Sequence, residues 1–256
     1  MRSGLRWLAV GLALILAAGC STTKPSKPKW KPEERVDVHV KLGWGYLQRG
    51  QLEIARQELE RALELDSDHS RANHIMAILQ IRLNNNAGAD PYFARAVRND
   101  PENIDARNDY GVYLCDVSRR DQGMQQFEDA LASPLNRRRE MTYLRAATCL
   151  MAGTDWTLAE TYLRNALNIQ PRFADALYLM AQLKYREQNY MSARAHLQRY
   201  FDSGALNSQS LFLAVQVERN LGARDLESSY AKQLRLQYPK SQEAKELDRA
   251  GGTTTQ

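Results

Sequence analysis

The side chains best equipped for chemistry are four histidines and three cysteines, and their spacing decides whether they can do any. A metal site or an activated nucleophile would need His39, His69, His74 and His196 to converge. His69 and His74 are five residues apart, which misses the i, i+4 pairing that sets two ligands on one helical face. No HExxH, CxxC, P-loop or GxSxG occurs anywhere in the chain. Surface or groove histidines are therefore expected, with no metal, no other cofactor and no catalytic residues. Cys115 and Cys149 lie among apolar neighbours, and no nearby histidine could activate a thiol. Two buried free thiols are expected, although an oxidising compartment would permit a disulfide. Arg119-Arg120 and Arg137-Arg138-Arg139 read as solvated loops. The chain is expected not to be an enzyme.

Cys20 raises a different chemistry. Arg2 and Arg6 form a short positive region, and Trp7–Ala18 an apolar stretch that stops at Cys20. A bilayer core about 30 Å thick needs roughly 20 helical residues, so this stretch is short for a transmembrane anchor. It has the proportions of a secretory signal covering 1–19. The ending Ala17-Ala18-Gly19-Cys20 resembles the lipobox of bacterial lipoproteins, with Ala17 where most carry Leu. That resemblance implies cleavage before Cys20 and acylation of its thiol; an ordinary cleaved signal is the alternative. Several acyl chains hold a protein far more firmly than one. Ser21, where an aspartate would imply inner-membrane retention, implies the periplasmic face of an outer membrane. Residues 20–33, with Lys24, Lys27, Lys29 and Lys31 among prolines, cannot bury a core and are expected to be an extended tether.

The remainder must fold without unusual help. Its hydrophobic fraction of 43 % and charged fraction of 25 % suit a soluble globular chain. Arg2 and Arg6 account for two of the 35 basic side chains, leaving 33 against 30 acidic ones. So mild a balance argues against nucleic acid as a partner, which calls for a concentrated basic stripe.

From Val36 onward the sequence repeats. Gly43, Ala77 and Gly111 are each 34 residues apart, as are Ala55, Ala89 and Gly123; Leu59, Phe93 and Phe127; and Ala62, Ala96 and Ala130. Two extra residues near Asn136–Arg139 shift the frame, after which Ala147, Ala159, Leu163 and Ala166 take the same places, then Ala181, Ala193 and Leu197. Leu52, Ala55, Leu59, Ala62 and Leu63 form an apolar stripe at helical spacing. Small residues would let paired helices approach closely, and the larger Leu or Phe would fill the space between them. Pro101, Pro171 and Pro239 fall between units, where no helix needs to continue. This pattern resembles the tetratricopeptide repeat (TPR). The expected fold is all-α, a right-handed superhelical array of about six TPR helix pairs over 34–241. The units are placed at 36–69, 70–103, 104–137, 140–173, 174–207 and 208–241, followed by a polar capping segment and disordered tail at 242–256.

In TPR arrays the first helix of each pair lines a concave groove that commonly holds a peptide. Carried over by alignment, the groove positions are Val40, Trp44 and Leu47; His74, Ile78 and Ile81; Asn108 and Val112, with Cys115; and Leu144 and Met151, with Thr148. Val40 and Trp44 stand where some TPR domains place a carboxylate-binding lysine and asparagine clamp, so that clamp is missing. An apolar groove is expected instead, suited to the hydrophobic face of a helix or an apolar peptide.

The leader, the lysine/proline tether and the repeats, in that order, resemble the type IV pilus biogenesis lipoproteins of the PilF/PilW family, which are TPR-containing pilotins. "LGWGYLQRGQLEIARQELERAL", "NDYGVYLCD" and "FEDALASPLN" carry the likeness most strongly. It implies a protein that binds the secretin subunit of the pilus machine and travels with it to the outer membrane. There it would promote assembly of the multimeric pore, as pilus biogenesis and twitching motility require. Partners would be the secretin and, through acylated Cys20, outer-membrane lipid; the array itself is expected to be a monomer. A general periplasmic TPR scaffold for cell-envelope complexes is the alternative.

Overall fold

The computed structural model describes residues 32–252, so the leader, Cys20 and the lysine/proline segment up to Lys31 lie outside the described residues. The described residues form thirteen α-helices and no strand. The first two pairs are α1 (Pro32–Gln48) with α2 (Leu52–Leu65), and α3 (Ser70–Arg82) with α4 (Asn86–Asn99). The third and fourth are α5 (Ile104–Asp116) with α6 (Arg120–Ala132), and α7 (Arg139–Met151) with α8 (Trp156–Ile169). The last two are α9 (Ala174–Arg186) with α10 (Tyr190–Asp202), and α11 (Ser208–Asn220) with α12 (Arg224–Gln237). Each helix packs mainly on its neighbours in sequence, and the chain is a TPR array.

The pairs form for reasons visible in their residues. Ala55, Leu59 and Ala62 put one apolar stripe of α2 wholly out of water, and Gly43 of α1 lies against Leu59. The equivalents of Leu59 in the next four pairs, Phe93, Phe127, Leu163 and Leu197, are also buried. Side-chain caps start many of the helices. Asn85, Asn103, Asp155 and Asn189 each accept a hydrogen bond from a backbone N–H in the first turn, and Asn207 and Ser210 form a reciprocal capping box. The array then needs an end. α13 (Gln242–Gly252) closes it by burying Ala244 and Leu247 among Leu211, Val215, Ala231 and Leu234.

The turn inside a pair repeats as faithfully as the core. Gly50, Asn84, Ser118, Gln188 and Gly222 occupy the same place in five pairs, with φ between 59 and 73°. Glycine meets no steric penalty in this left-handed conformation; Gln188, whose side chain is exposed, does. Gln188→Gly is therefore expected to raise the unfolding free energy by about 0.5–1 kcal/mol. A denaturant midpoint that stays put or falls would show that the side chain does something there.

One partly buried histidine couples the fold to pH. Burial first, and then the charges of Arg199, Lys184 and Arg164, push His196 from 6.5 down to about 4, with Glu160 opposing. Its imidazole is thus held neutral, and its Nδ1 has no hydrogen-bond partner. The unfolded chain takes up this proton near pH 6.5 and the folded chain only near pH 4. The contribution is therefore complete above pH 6.5 and is lost progressively as pH falls toward 4. Between pH 7 and 4.5, wild type should lose more stability in urea titrations than His196→Gln does. Equal losses in the two proteins would remove His196 from the account.

Candidate functional site

The first helices of successive pairs lie side by side, and those of the first four pairs wall a groove of ≈ 1070 Å³. Trp44 of α1, His74 and Ile78 of α3, and Asn108 of α5 all line it. Those four groove expectations are brought together in one place. The others sit elsewhere. Val40 and Leu47 are 1 % and 2 % exposed and belong to the core with Leu59, Ile75 and Leu79, so they are core rather than groove residues. Leu144, also buried, joins the core that Phe127, Ala147 and Leu163 build between the third and fourth pairs. Ile81 packs against the Phe93 cluster and Met151 against the Phe127 cluster, each partly buried. Val112 is exposed but does not line this groove.

The groove is amphipathic rather than apolar. Beside Trp44, Ile78, Met141 and Leu135 it carries six carboxylates and four guanidinium groups. A chain of polar contacts crosses three of its helices. Asp109 of α5 receives Arg145 Nη1 of α7 on Oδ1 at 2.8 Å and lies 2.8 Å through Oδ2 from His74 Nε2 of α3. Burial alone would raise the Asp109 carboxyl, but the His74 and Arg145 contacts outweigh it and hold it below the usual carboxylate range. An ionised Asp109 only accepts, so His74 Nε2 carries the hydrogen between them. The pairs are thereby fixed to one another at the groove surface as well as through the core.

Sequence reasoning missed Asp109 and Arg145, although a signal for them existed. Ile75, Asp109 and Arg145 occupy one position in three successive pairs, next to the row of His74, Asn108 and Leu144. An acid followed by a base at equivalent places on adjacent helices is what an inter-repeat ion pair requires. Asn108 is 6 % exposed and its Oδ1 has no hydrogen-bond partner. Such a buried acceptor is uncommon in a folded protein.

Cys115 and Cys149 are joined as a disulfide, with Cα atoms 5.7 Å apart, which corrects the expectation of two free thiols. The reason is geometric. Cys115 lies four residues after Gly111 and Cys149 two after the equivalent Ala147, so the two are not at matching positions. One therefore faces forward from α5 while the other faces back from α7. Among the described residues no group of three or more His, Cys, Asp or Glu side chains is placed to hold a metal ion. No helix among them is long and apolar enough to cross a membrane.

Comparison with known proteins places this geometry in context. The family model described as tetratricopeptide repeat matches residues 40–104. The type IV pilus assembly protein PilF of Pseudomonas aeruginosa is 29 % identical over 244 residues, covering 94 % of each chain. The solved structure of Pseudomonas aeruginosa PilF superposes with a TM-score of 0.75 at 27 % identity, over 86 % of this chain and 99 % of that one. The structure of PilW, described as a widely conserved type IV pilus biogenesis factor, gives a TM-score of 0.76 at 25 % identity. It covers 83 % of this chain and 97 % of its own.

Proposed function

We propose that this PilF/PilW-like tetratricopeptide-repeat protein is a pilotin of type IV pilus biogenesis. It binds the pilus secretin at the amphipathic groove and promotes the secretin's outer-membrane localisation and multimerisation. The observation that carries this reading is the likeness to PilF over 94 % of both chains, since a single shared repeat would support only a shared fold. The groove supports it physically. Trp44 and Ile78 supply apolar anchors and the surrounding charges supply orientation, the division of labour expected of a peptide-binding surface. No enzymatic step is needed: the work is binding, positioning and delivery.

In this proposal acylated Cys20 supplies the address. Anchoring holds the array near the membrane, and the raised effective concentration converts modest affinity into high occupancy. The test compares secretin multimers in outer-membrane fractions from wild type, a deletion strain and Cys20→Ser. Multimers should be lost in the deletion, and the protein and secretin mislocalised in Cys20→Ser. Normal multimers in the deletion would sink the pilotin role.

The groove has its own prediction. Trp44→Ala is expected to weaken secretin recovery about tenfold or more, as loss of an aromatic anchor does, with the native helix content retained. Undiminished recovery by the double variant Trp44→Ala/Ile78→Asp would move the binding surface elsewhere.

A further inference from the structure

The groove has an acidic rim whose carboxylates outnumber the guanidinium groups beside them. Asp66 and Asp68 lie in the loop before α3, Asp100 and Glu102 in the loop before α5, and Asp105 in the first turn of α5. Asp66 and Asp100 cap their own turns through Oδ1, Asp68 receives Asn99, and Glu102 receives Ser133. None of these five carboxylates forms an ion pair with a described Lys, Arg or His, and they outnumber the three groove guanidinium groups, Arg71, Arg137 and Arg138, that form none either. Asn108 sits in the same groove, nine-tenths buried, with an acceptor oxygen that no donor reaches. The rim and the orphan acceptor ask for the same thing: a ligand rich in N–H donors and positive charge.

We propose that the occupant is the chain's own segment 24–31, KPSKPKWK, folded back across the acidic rim from the start of α1. Three observations argue for it. The first is charge: Lys24, Lys27, Lys29 and Lys31 fall within eight residues that contain no acid. The second is position. The segment ends where α1 begins at Pro32, and His69 Nε2 at the head of α3 lies 3.6 Å from Asp37 Oδ1 of α1. The chain therefore enters the array at the edge where the acidic loops lie. The third is reach. Eight residues in a proline-favoured extended form span about 25 Å, at ~3.1 Å each. Adjacent helices pack about 10 Å apart, so the segment can run from α1 past α3 to α5. Two prolines within eight residues lower the cost of ordering a segment in an extended form.

The groove also carries Arg71, Arg137, Arg138 and Arg145. Arg145 is committed to Asp109, and Arg137 and Arg138 precede α7, so they set the far limit of the docked segment. The inference stands on the rim and the tether alone and does not depend on which partner the groove serves.

The test is zero-length carbodiimide cross-linking of the full chain carrying Cys20→Ser, with linked peptides identified by mass spectrometry. Links should join Lys24, Lys27 or Lys29 to Asp100, Glu102 or Asp105, and should disappear in about 1 M salt, where screening is nearly complete. The variant Asp66→Asn/Asp100→Asn/Asp105→Asn keeps the turn-capping oxygens and should reduce those links about tenfold, with an unaltered melting curve. Links scattered over acids of the second helices would overturn the proposal. So would links found only between chains when isotopically light and heavy protein are mixed, since the occupant would then be a second copy.

Discussion

Phe127→Ala is expected to lower the unfolding free energy by about 3–5 kcal/mol, the cost of deleting a fully buried aromatic ring. Phe127 is 0 % exposed and lies where α6 meets both its partner α5 and the fourth pair, in contact with the core containing Leu144, Ala147 and Leu163. Because a repeat array is coupled only between neighbours, the cavity weakens the middle of the protein, where neither half can compensate. Urea unfolding followed by circular dichroism should show a lower midpoint and a broader transition. A loss below about 1 kcal/mol would mean that the neighbouring side chains collapse into the cavity. The contact that fixes the ring can be tested in the opposite direction. A Cβ built on Gly111 would lie 2.6 Å from Phe127 Cε1, so one of the two must move. Gly111→Ala should cost about 1 kcal/mol, at the low end for overpacking, because the second pair tolerates Ala77 opposite Phe93. In a Phe127→Leu background the cost should vanish, since the fourth and fifth pairs already set Ala147 against Leu163 and Ala181 against Leu197. Additive effects would show that Gly111 and Phe127 do not constrain one another.

What could be read in the sequence and what could not divide along physical lines. The helix pairs were legible because close packing demands particular sizes at particular intervals, and size is written in residue type. Gly43, Ala77, Gly111, Ala147 and Ala181 announce one interface, and Leu59, Phe93, Phe127, Leu163 and Leu197 another. The groove was legible only in part. Val40, Leu47 and Leu144 are apolar residues on the same helices as Trp44 and Ile78, and composition does not say which side of a helix touches the next pair. A rotation of one position exchanges groove for core. The polar chain His74–Asp109–Arg145 was less legible still, because each contact joins different pairs and no single repeat contains the pattern. The left-handed turn shows the reverse case. Gly50 and Gly222 satisfy the backbone with the expected residue, whereas Ser118 and Gln188 adopt the same conformation without any local signature. There the array imposes the geometry and the residue tolerates it.

The disulfide tests how far such an array behaves as one body. Cys115 and Cys149 close a loop with a sequence separation of 34, enough for about 3–4 kcal/mol by restriction of the unfolded chain. That loop contains all of α6 and most of α7, so the bond ties the third pair to the fourth at the junction whose core Phe127 helps fill. Reduction of the wild-type protein should therefore lower its urea midpoint, with the native helix content retained before the transition. The double variant Cys115→Ala/Cys149→Ala should lower it slightly further, because it also removes the packing of two sulfur atoms. Cys115 Sγ is in a confined place: a Cβ on Gly123 of α6 would come within 2.7 Å of it. The order of the three proteins (oxidised, reduced, double alanine) thus separates the cross-link from the packing. Identical midpoints for oxidised and reduced protein would show that core packing alone fixes the junction. A fall on reduction, with no further fall in the double variant, would assign the whole effect to the covalent link.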